Sequence, residues 1–419
     1  MVVRTWPVHR ATAVDPVSVT DLRVEFDRDM SVGDHSWVGG GEAFPQLRGN
    51  PYWVGPRMAV LPVRLKPNHR YDVGLNSARY RSFRSADGEV LSPQPLVFST
   101  GSARSVSPEL LTELNRRSVF ELLRLIDEEY SYRDLRGVDW AALFAEQGPE
   151  LEAGRSTREF AEKAVELLGH AKDLHVTVAL GNEVLGTHKR EVRVNADVGP
   201  LSRTVPNWRQ ENKAVCTGEF ENGIGYILIA NWSRELEDEL DAASAALRRF
   251  ATGRGVIIDV RFNSGGDESL ASRFAGLLVD SPRPYAMHTV RNAYLPGGFA
   301  RPTTRVLAPS DSPVGFSGKV AVLMGPANMS SCEAFLLMMK QVPRCRLFGE
   351  RSYGSSGNPK RTELANGVAI MLPSWKAMTL EGKTFEGVGI EPDARIGHAD
   401  NDRNKVDATL EAALLWLRN

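Results

Sequence analysis

The stretch VIIDVRFNSGGDES, residues 256–269, decides the architecture of the second half of the chain. Its apolar beginning predicts a strand that is buried on both faces. Gly265 and Gly266 then predict a turn, and a helical pattern follows. Bare backbone N–H groups at the carboxyl end of a buried strand are typical of a ligand site in an open α/β sheet. A purely structural turn is the alternative interpretation.

The same alternation of buried strand and helix extends to both sides of this stretch. Further strands are predicted at VTVAL (176–180), GYILIA (225–230), KVAVLM (319–324) and VAIML (368–372). Helices are predicted at 235–251, 269–279, 332–342 and 406–419. Near-continuous apolar strands separated by helices indicate an α/β layer with a largely buried sheet. We therefore predict an α/β domain over residues 171–419.

The first part of the chain has different patterns. About six short strands separated by turns predict an all-β, immunoglobulin-like sandwich over residues 1–102. The segment AVDPVSVTDLRVEFDRDM (13–30) resembles the opening of bacterial Ig-like modules. Apolar residues at helical spacing then predict a small helical subdomain over residues 107–170, with Ser107 as N-cap and Pro108 at the first helical position. The fold class is thus multidomain.

Composition restricts the classes of function. The 419 residues carry 51 Lys and Arg against 52 Asp and Glu, so no overall charge attracts nucleic acid. No apolar run reaches the ~18 residues of a membrane span, and the first residues lack the apolar core of a signal peptide. Three widely spaced cysteines favour free thiols over a disulfide scaffold or zinc knuckle. The compartment stays unknown; cytoplasmic is slightly favoured, and secreted or periplasmic applies if a leader was removed.

Two further segments resemble parts of a site. Ser330 lies where the strand 319–324 gives way to a helix, which is the position of an exposed nucleophile in a strand-to-helix elbow. The helix N-terminus there would supply N–H groups to a developing oxyanion. The alternative is that Ser330 only caps the helix, with Glu333 as its capping-box partner. His175 lies between a predicted helix and a strand, where a lone histidine is usually structural.

Four motifs in order resemble the tail-specific, or C-terminal processing, serine protease family. They resemble most its branch with the tricorn core and the interphotoreceptor retinoid-binding modules. The motifs are DVRFNSGG (259–266), SSCE (330–333), GERSYG (349–354) and FEGVGIEPD (385–393). The resemblance implies that the α/β domain has the ClpP/crotonase-like spiral of strands and helices.

The resemblance also implies residue roles. Ser330 would be the nucleophile. The lysine base of the dyad branch is replaced by Ser355, which favours the branch with a Ser–His–Glu triad. His175 would then be the base and Glu386 the acid that orients it, although Leu174 stands where the tricorn type has a serine.

Alternative residues remain for each proposed role, and further groups could form the oxyanion hole. Ser331 is the rival nucleophile and His170 the rival base. Asp173 and Glu391 are the rival acids. The N–H of Ser331 and one from the Gly265–Gly266 turn could form the oxyanion hole. This set suits acyl transfer, because a serine hydroxyl needs a base, and a carboxylate orients the imidazole.

The function predicted from these residues is that of a serine peptidase acting on peptide or protein substrates through an acyl-enzyme. The alternatives are an esterase and a catalytically silent ligand-binding module of the same scaffold. No cofactor and no metal are expected, because phosphate-loop, HExxH and Rossmann motifs are missing. The ~45 residues between 180 and 223 are too few for a PDZ domain, and 195–215 is expected to be an irregular loop. Relatives often form rings or dimers, so a homo-oligomer is possible.

Overall fold

The computed structural model describes residues 1–103, 105–189, 191–221, 223–397 and 407–419. The chain divides into two compact units. The first comprises residues 1–188, 292–299 and 359–372, and the second comprises residues 189–291, 300–358 and 373–419. The predicted domain boundaries at 102, 107 and 170 stay a prediction.

The strands described, in chain order, are β1 (Val2–Trp6), β2 (Asp21–Phe26), β3 (Trp37–Val38), β4 (Gln46–Leu47), β5 (Tyr52–Val54), β6 (Met58–Arg64), β7 (Arg70–Leu75), β8 (Gln94–Ser99), β9 (Thr177–Leu180), β10 (Glu183–Gly186), β11 (Arg209–Gln210), β12 (Val215–Phe220), β13 (Ile224–Ile229), β14 (Gly255–Asp259), β15 (Arg283–Val290), β16 (Thr303–Leu307), β17 (Lys319–Met324), β18 (Cys345–Gly349), β19 (Pro359–Glu363), β20 (Ala369–Pro373), β21 (Trp375–Met378) and β22 (Ala394–Arg395). The α-helices described are α1 (Pro108–Glu129), α2 (Trp140–Glu152), α3 (Thr157–Gly169), α4 (Val198–Thr204), α5 (Glu237–Arg249), α6 (Glu268–Ala275), α7 (Ser331–Met339) and α8 (Ala408–Arg418).

The first unit begins with two antiparallel sheets. One has the order β1-β2-β6-β4, with β5 also paired to β6, and the other has the order β3-β7-β8. Side chains of both sheets meet in two clusters. One contains Leu22, Leu61 and Tyr71, and the other contains Val24 and Leu75. A sandwich of two antiparallel sheets is therefore present, and its immunoglobulin-like topology stays a prediction.

Helices α1, α2 and α3 complete the first unit together with a sheet of order β10-β9-β20-β19, in which β9 is antiparallel to both β10 and β20. Ser107 caps α1 by accepting a hydrogen bond from the Leu110 N–H (3.2 Å), and Pro108 follows it, as predicted. One core joins the helices to this sheet and contains Leu122, Ile126, Phe160, Val178 and Ile370. The strands predicted at 176–180 and 368–372 thus pair with each other and do not join the large sheet.

The second unit is built on a seven-stranded sheet with the order β11-β12-β13-β14-β17-β18-β22. In this sheet β13, β14, β17, β18 and β22 are parallel to one another, whereas β12 is antiparallel to both β11 and β13. Alternate residues of the strands face two cores. Residues of α5, α6 and α7 belong to one core and residues of α4 and α8 belong to the other. This is the predicted α/β layer; its ClpP/crotonase-like classification stays a prediction.

Two features of the second unit differ from the sequence prediction. Residues 195–215 contain α4 and β11, so this segment is not an irregular loop throughout. Asp197 begins α4 as its N-cap, because its side chain accepts from the Gly199 N–H. A second small sheet, β16-β15-β21, is antiparallel and was not predicted. Among the described residues, no helix has both the length and the hydropathy to span a membrane.

Candidate active site

Ser330 occupies the turn between β17 and α7 with a φ angle of 55° and a ψ angle of −129°. A positive φ is rare for a residue with a β-carbon and is strained by about 1–3 kcal/mol. Its side chain makes no capping hydrogen bond to α7, although the residue holds the N-cap position. The alternative interpretation, in which the Ser330 hydroxyl caps the helix, is therefore not supported by this hydrogen-bond pattern.

The Gly265–Gly266 turn lies directly against this serine. Gly265 has a φ of 112°, and a β-carbon there would lie 2.9 Å from Cβ of Ser330 and 3.3 Å from the backbone N of Ser331. Only glycine allows the two segments to approach this closely. A β-carbon on Gly266 would lie 2.3 Å from the carbonyl oxygen of Trp232, so that position is equally restricted. The sequence pattern therefore brings the strand end of β14 to the N-terminus of α7.

Two backbone N–H groups at this junction have no acceptor among the described residues. The Gly265 N–H donates to Asn263 Oδ1 (2.9 Å) and is occupied. Gly266 is paired with Trp232 in a short parallel β-bridge, but the hydrogen bonds are made by the residues on either side of Gly266. The Trp232 N–H donates to the Gly265 carbonyl, and the Asp267 N–H donates to the Trp232 carbonyl. In this pairing the Gly266 N–H points away from Trp232. The Ser331 N–H lies at the first position of α7, where a helix provides no acceptor.

Glu386 lies in the same unit and reaches the same loop. It is buried, and its Oε2 accepts a hydrogen bond from the Ser356 N–H (2.7 Å). The neighbouring Ser355 carbonyl accepts from the Ser330 N–H (2.6 Å). The structure thus joins Ser330 and Glu386 through two consecutive residues of one loop. The rival acid Glu391 instead forms an exposed ion pair with Arg351.

His175 belongs to the first unit, where it follows α3 and precedes β9. Its backbone N–H donates to Asp173 Oδ1 (2.9 Å). The other oxygen of the Asp173 carboxylate accepts from the Tyr130 hydroxyl (2.7 Å) and from the Arg136 guanidinium (2.8 Å). Burial lowers the pKa of the His175 imidazole from its ordinary value of 6.5, although the negative charge of Asp173 acts in the opposite direction. Asp173 therefore fixes the backbone turn that carries His175.

The remaining rivals differ from the proposed residues in exposure. The Oγ of Ser331 is buried and has no hydrogen-bond partner among the described residues. His170 is exposed at the C-terminal cap of α3. Glu333, which the sequence suggested only as a capping partner, is fully buried beside Ser330.

The described residues contain no group of three or more His, Cys, Asp or Glu side chains arranged to hold a metal ion.

Comparison with known proteins gives the context for this geometry. Residues 223–396 match the model of peptidase family S41. The chain is 24% identical over 179 residues to the carboxy-terminal processing protease CtpB of Bacillus subtilis, which covers 43% of the chain and 35% of CtpB. It is 22% identical over 223 residues to CtpA of the same organism, covering 53% and 46%. The chain therefore spans less than half the length of these curated relatives.

Solved structures show the same fold. A Parabacteroides merdae protein described as a candidate peptidase has a TM-score of 0.61 and 23% identity, with 73% of this chain and 97% of that chain covered. A serine-to-alanine mutant of CPAF has a TM-score of 0.54 and 12% identity, with 74% and 98% covered. Residues 223–396 are thus similar to peptidase family S41, and the chain is similar in sequence to the carboxy-terminal processing proteases of Bacillus subtilis.

Proposed function

We propose that this chain is a serine peptidase that cleaves peptide bonds through an acyl-enzyme, with Ser330 as nucleophile, His175 as general base and Glu386 as the acid that orients it. The observation that carries the proposal is the strained turn at Ser330, which leaves the hydroxyl uncommitted at the N-terminus of α7. A strained strand-to-helix turn is how α/β hydrolases expose a nucleophilic serine. The match of residues 223–396 to the model of peptidase family S41 and the similarity to processing proteases support the same assignment.

The proposed chemistry is an acyl transfer. His175 takes the proton of the Ser330 hydroxyl as its oxygen attacks the substrate carbonyl carbon. The imidazolium then gives that proton to the leaving amine, and the C–N bond breaks. Water, deprotonated by the same imidazole, hydrolyses the acyl-enzyme and restores the Ser330 hydroxyl. A lowered pKa suits the base, because the imidazole must be neutral to accept a proton.

The oxyanion of the tetrahedral intermediate would be stabilised by the N–H groups of Gly266 and Ser331. Both lack an acceptor among the described residues, and both lie at the junction that Gly265 forms with Ser330. Gly265 itself is excluded as donor, because Asn263 occupies its N–H. One such donor typically contributes about 2.7–4 kcal/mol to transition-state stabilisation.

Glu386 is the acid best supported by its hydrogen-bond partners, since both Glu386 and its rival Asp173 are buried. A carboxylate fixes the imidazole tautomer and stabilises the imidazolium when it is shielded from water. The carboxylate of Asp173 already accepts hydrogen bonds from the Tyr130 hydroxyl and the Arg136 guanidinium, which favours Glu386 for this role. Ser355 stands at the position that the dyad branch gives to lysine, which supports the triad over the dyad.

The test pairs each proposed residue with its rival and uses a fluorophosphonate probe together with a peptide-library cleavage assay. We expect Ser330→Ala to abolish labelling and cleavage, while Ser331→Ala keeps both. His175→Ala should reduce cleavage by about 10⁴-fold, and Glu386→Gln should also reduce it strongly. The matched controls His170→Ala and Glu391→Gln should cleave at nearly the wild-type rate.

Three outcomes would contradict the proposal. Labelling that persists in Ser330→Ala would place the nucleophile elsewhere. Absence of labelling in folded wild-type protein would favour a catalytically silent binding module. Labelling with hydrolysis of p-nitrophenyl esters, but without cleavage of any library peptide, would favour an esterase.

A further inference from the structure

A buried carboxyl group lies three residues after Ser330, in the first turn of α7. Glu333 is fully buried, and the ion pairs formed by the described residues include none to it. Burying a carboxylate without a cation is unfavourable unless hydrogen bonds compensate. Burial raises the pKa of Glu333 above its ordinary value, and hydrogen bonds from Ser352 and from the backbone of Ser330, Gly354 and Ser355 lower it.

Both oxygens of Glu333 accept hydrogen bonds from one loop. Oε1 accepts from the Ser352 hydroxyl (2.5 Å) and from the Gly354 N–H (2.8 Å), and Oε2 accepts from the Ser355 N–H (3.0 Å). Two of these donors are backbone groups that cannot reverse their polarity. The carboxylate therefore fixes the backbone of residues 352–355.

The same loop holds two groups of the proposed catalytic set. The Ser355 carbonyl accepts from the Ser330 N–H (2.6 Å), and the Ser356 N–H donates to Glu386 (2.7 Å). The Ser352 hydroxyl also accepts from the Ile390 N–H (2.6 Å), which ties the loop to the segment that carries Glu386. A shift of the loop would therefore move the nucleophile turn and the acid together.

We propose that Glu333 is a positioning residue for catalysis, whose two carboxylate oxygens hold residues 352–356 so that Ser330 and Glu386 keep their reactive arrangement. This inference rests on the proposed function, because its readout is the reactivity of Ser330.

The geometry separates this role from simple packing. A glutamine at position 333 has the same shape but one acceptor oxygen, and its amide group is a donor. The Gly354 N–H meets one oxygen and the Ser355 N–H meets the other, so either orientation of the amide places a donor against a donor. An aspartate keeps both acceptors at the expense of one methylene of reach. If the two acceptor oxygens matter, Glu333→Asp should keep more activity than Glu333→Gln. If the only effect were removal of a buried charge, Glu333→Gln should keep more.

The experiment measures fluorophosphonate labelling and peptide cleavage by Glu333→Gln, Glu333→Asp and Ser352→Ala. We expect Glu333→Gln to lower both the labelling rate and kcat by about 10–100-fold, with KM changed less than about threefold, because small misplacements of reacting groups reduce chemistry more than binding. Glu333→Asp and Ser352→Ala should lose less. The labelling stoichiometry reports the folded fraction, and the rate reports positioning.

The control is Leu240→Ala, which removes core contacts of α5 in the same unit. It should lower Tm without changing kcat per labelled molecule. The inference is overturned if Glu333→Gln labels at the wild-type rate, or if its Tm falls while its kcat per labelled molecule stays at the wild-type value, as in the control. Where Glu333→Gln does not fold, wild-type labelling rates in both Glu333→Asp and Ser352→Ala overturn it. Labelling that survives Ser330→Ala would instead refute the proposed function.

Discussion

Ser330 combines a residue type that the sequence makes visible with a conformation that it does not. The chain pattern predicted a serine between a strand and a helix, and the structure adds the positive φ and the uncapped hydroxyl. That conformation depends on the close approach of Gly265, which is far away in sequence. Residue types and order could therefore be predicted from motifs, whereas the contact that strains the serine could not, because spacing along a chain carries no information on distant neighbours.

Protonation of the proposed base, His175, should lower kcat/KM at acidic pH. Since burial keeps the pKa of His175 below 6.5, the imidazole is already neutral at pH 7. We expect kcat/KM to rise with pH, to reach half its plateau below pH 6.5 and to be level through pH 7. The measurement is kcat/KM for one peptide between pH 4.5 and 8.

A matched variant checks that His175 sets this acid limb of the pH profile. The charge of Asp173 raises the imidazole pKa, so Asp173→Asn should move the midpoint further down. An acid limb centred above pH 7, or a midpoint that moves upward in Asp173→Asn, would argue against His175 as the base.

At the scale of one element, α8 is joined to the large sheet by a charged N-cap. Asp407 accepts from the Leu410 N–H (3.1 Å) and pairs with the fully buried Arg261 (2.7 Å). The apolar side of α8, which includes Leu414, packs in the core with Phe348 of β18. One carboxylate therefore begins the helix and also partners the arginine of the DVR motif.

Substitution of Asp407 should separate these two contributions. Asp407→Ser keeps a capping hydroxyl but loses the ion pair, whereas Asp407→Ala loses both. We expect Asp407→Ala to be less stable than Asp407→Ser by about 1 kcal/mol, which is the typical value of an N-cap. Urea denaturation of the three proteins measures this difference, and equal stability of the two variants would show that the cap contributes nothing.

The same scale shows what periodicity can and cannot predict. The helices predicted at 235–251, 332–342 and 406–419 were confirmed as α5, α7 and α8, with ends within a few residues. The strands at 176–180 and 368–372 were also confirmed, but their partners were not. An apolar run reports burial and not the identity of the neighbouring strand. The short helix α4 was missed because seven residues contain too little periodicity.

At the scale of the whole first unit, Arg48 joins the sandwich, α1 and the segment before β20. Its guanidinium is buried and donates to the carbonyl of Thr20 (2.8 Å) and to that of Glu363 (2.6 Å), and it pairs with the buried Glu121 (3.0 Å). The Glu121 carboxylate also accepts from the Ala365 N–H (2.8 Å). Buried polar contacts thus join the N-terminal sheets to α1 and to the segment before β20.

Removal of Arg48 should destabilise the protein strongly. Arg48→Met leaves Glu121 buried without its cation, which typically costs about 3–5 kcal/mol. The double variant Arg48→Met with Glu121→Leu should recover part of that loss. Thermal unfolding measures both, and Arg57→Met, which breaks an exposed pair with Asp29, is the control expected to change Tm little. A loss of Tm as small as in that control would indicate that the sandwich is a detachable module.

The covalent path through the two compact units has a practical consequence. Their six segments alternate along the chain, so the backbone passes from one unit to the other five times, the fourth time two residues after Ser356, between Asn358 and Pro359. Neither unit can be encoded as one continuous stretch of gene. Cutting the chain at a single position therefore cannot separate one intact unit from the other.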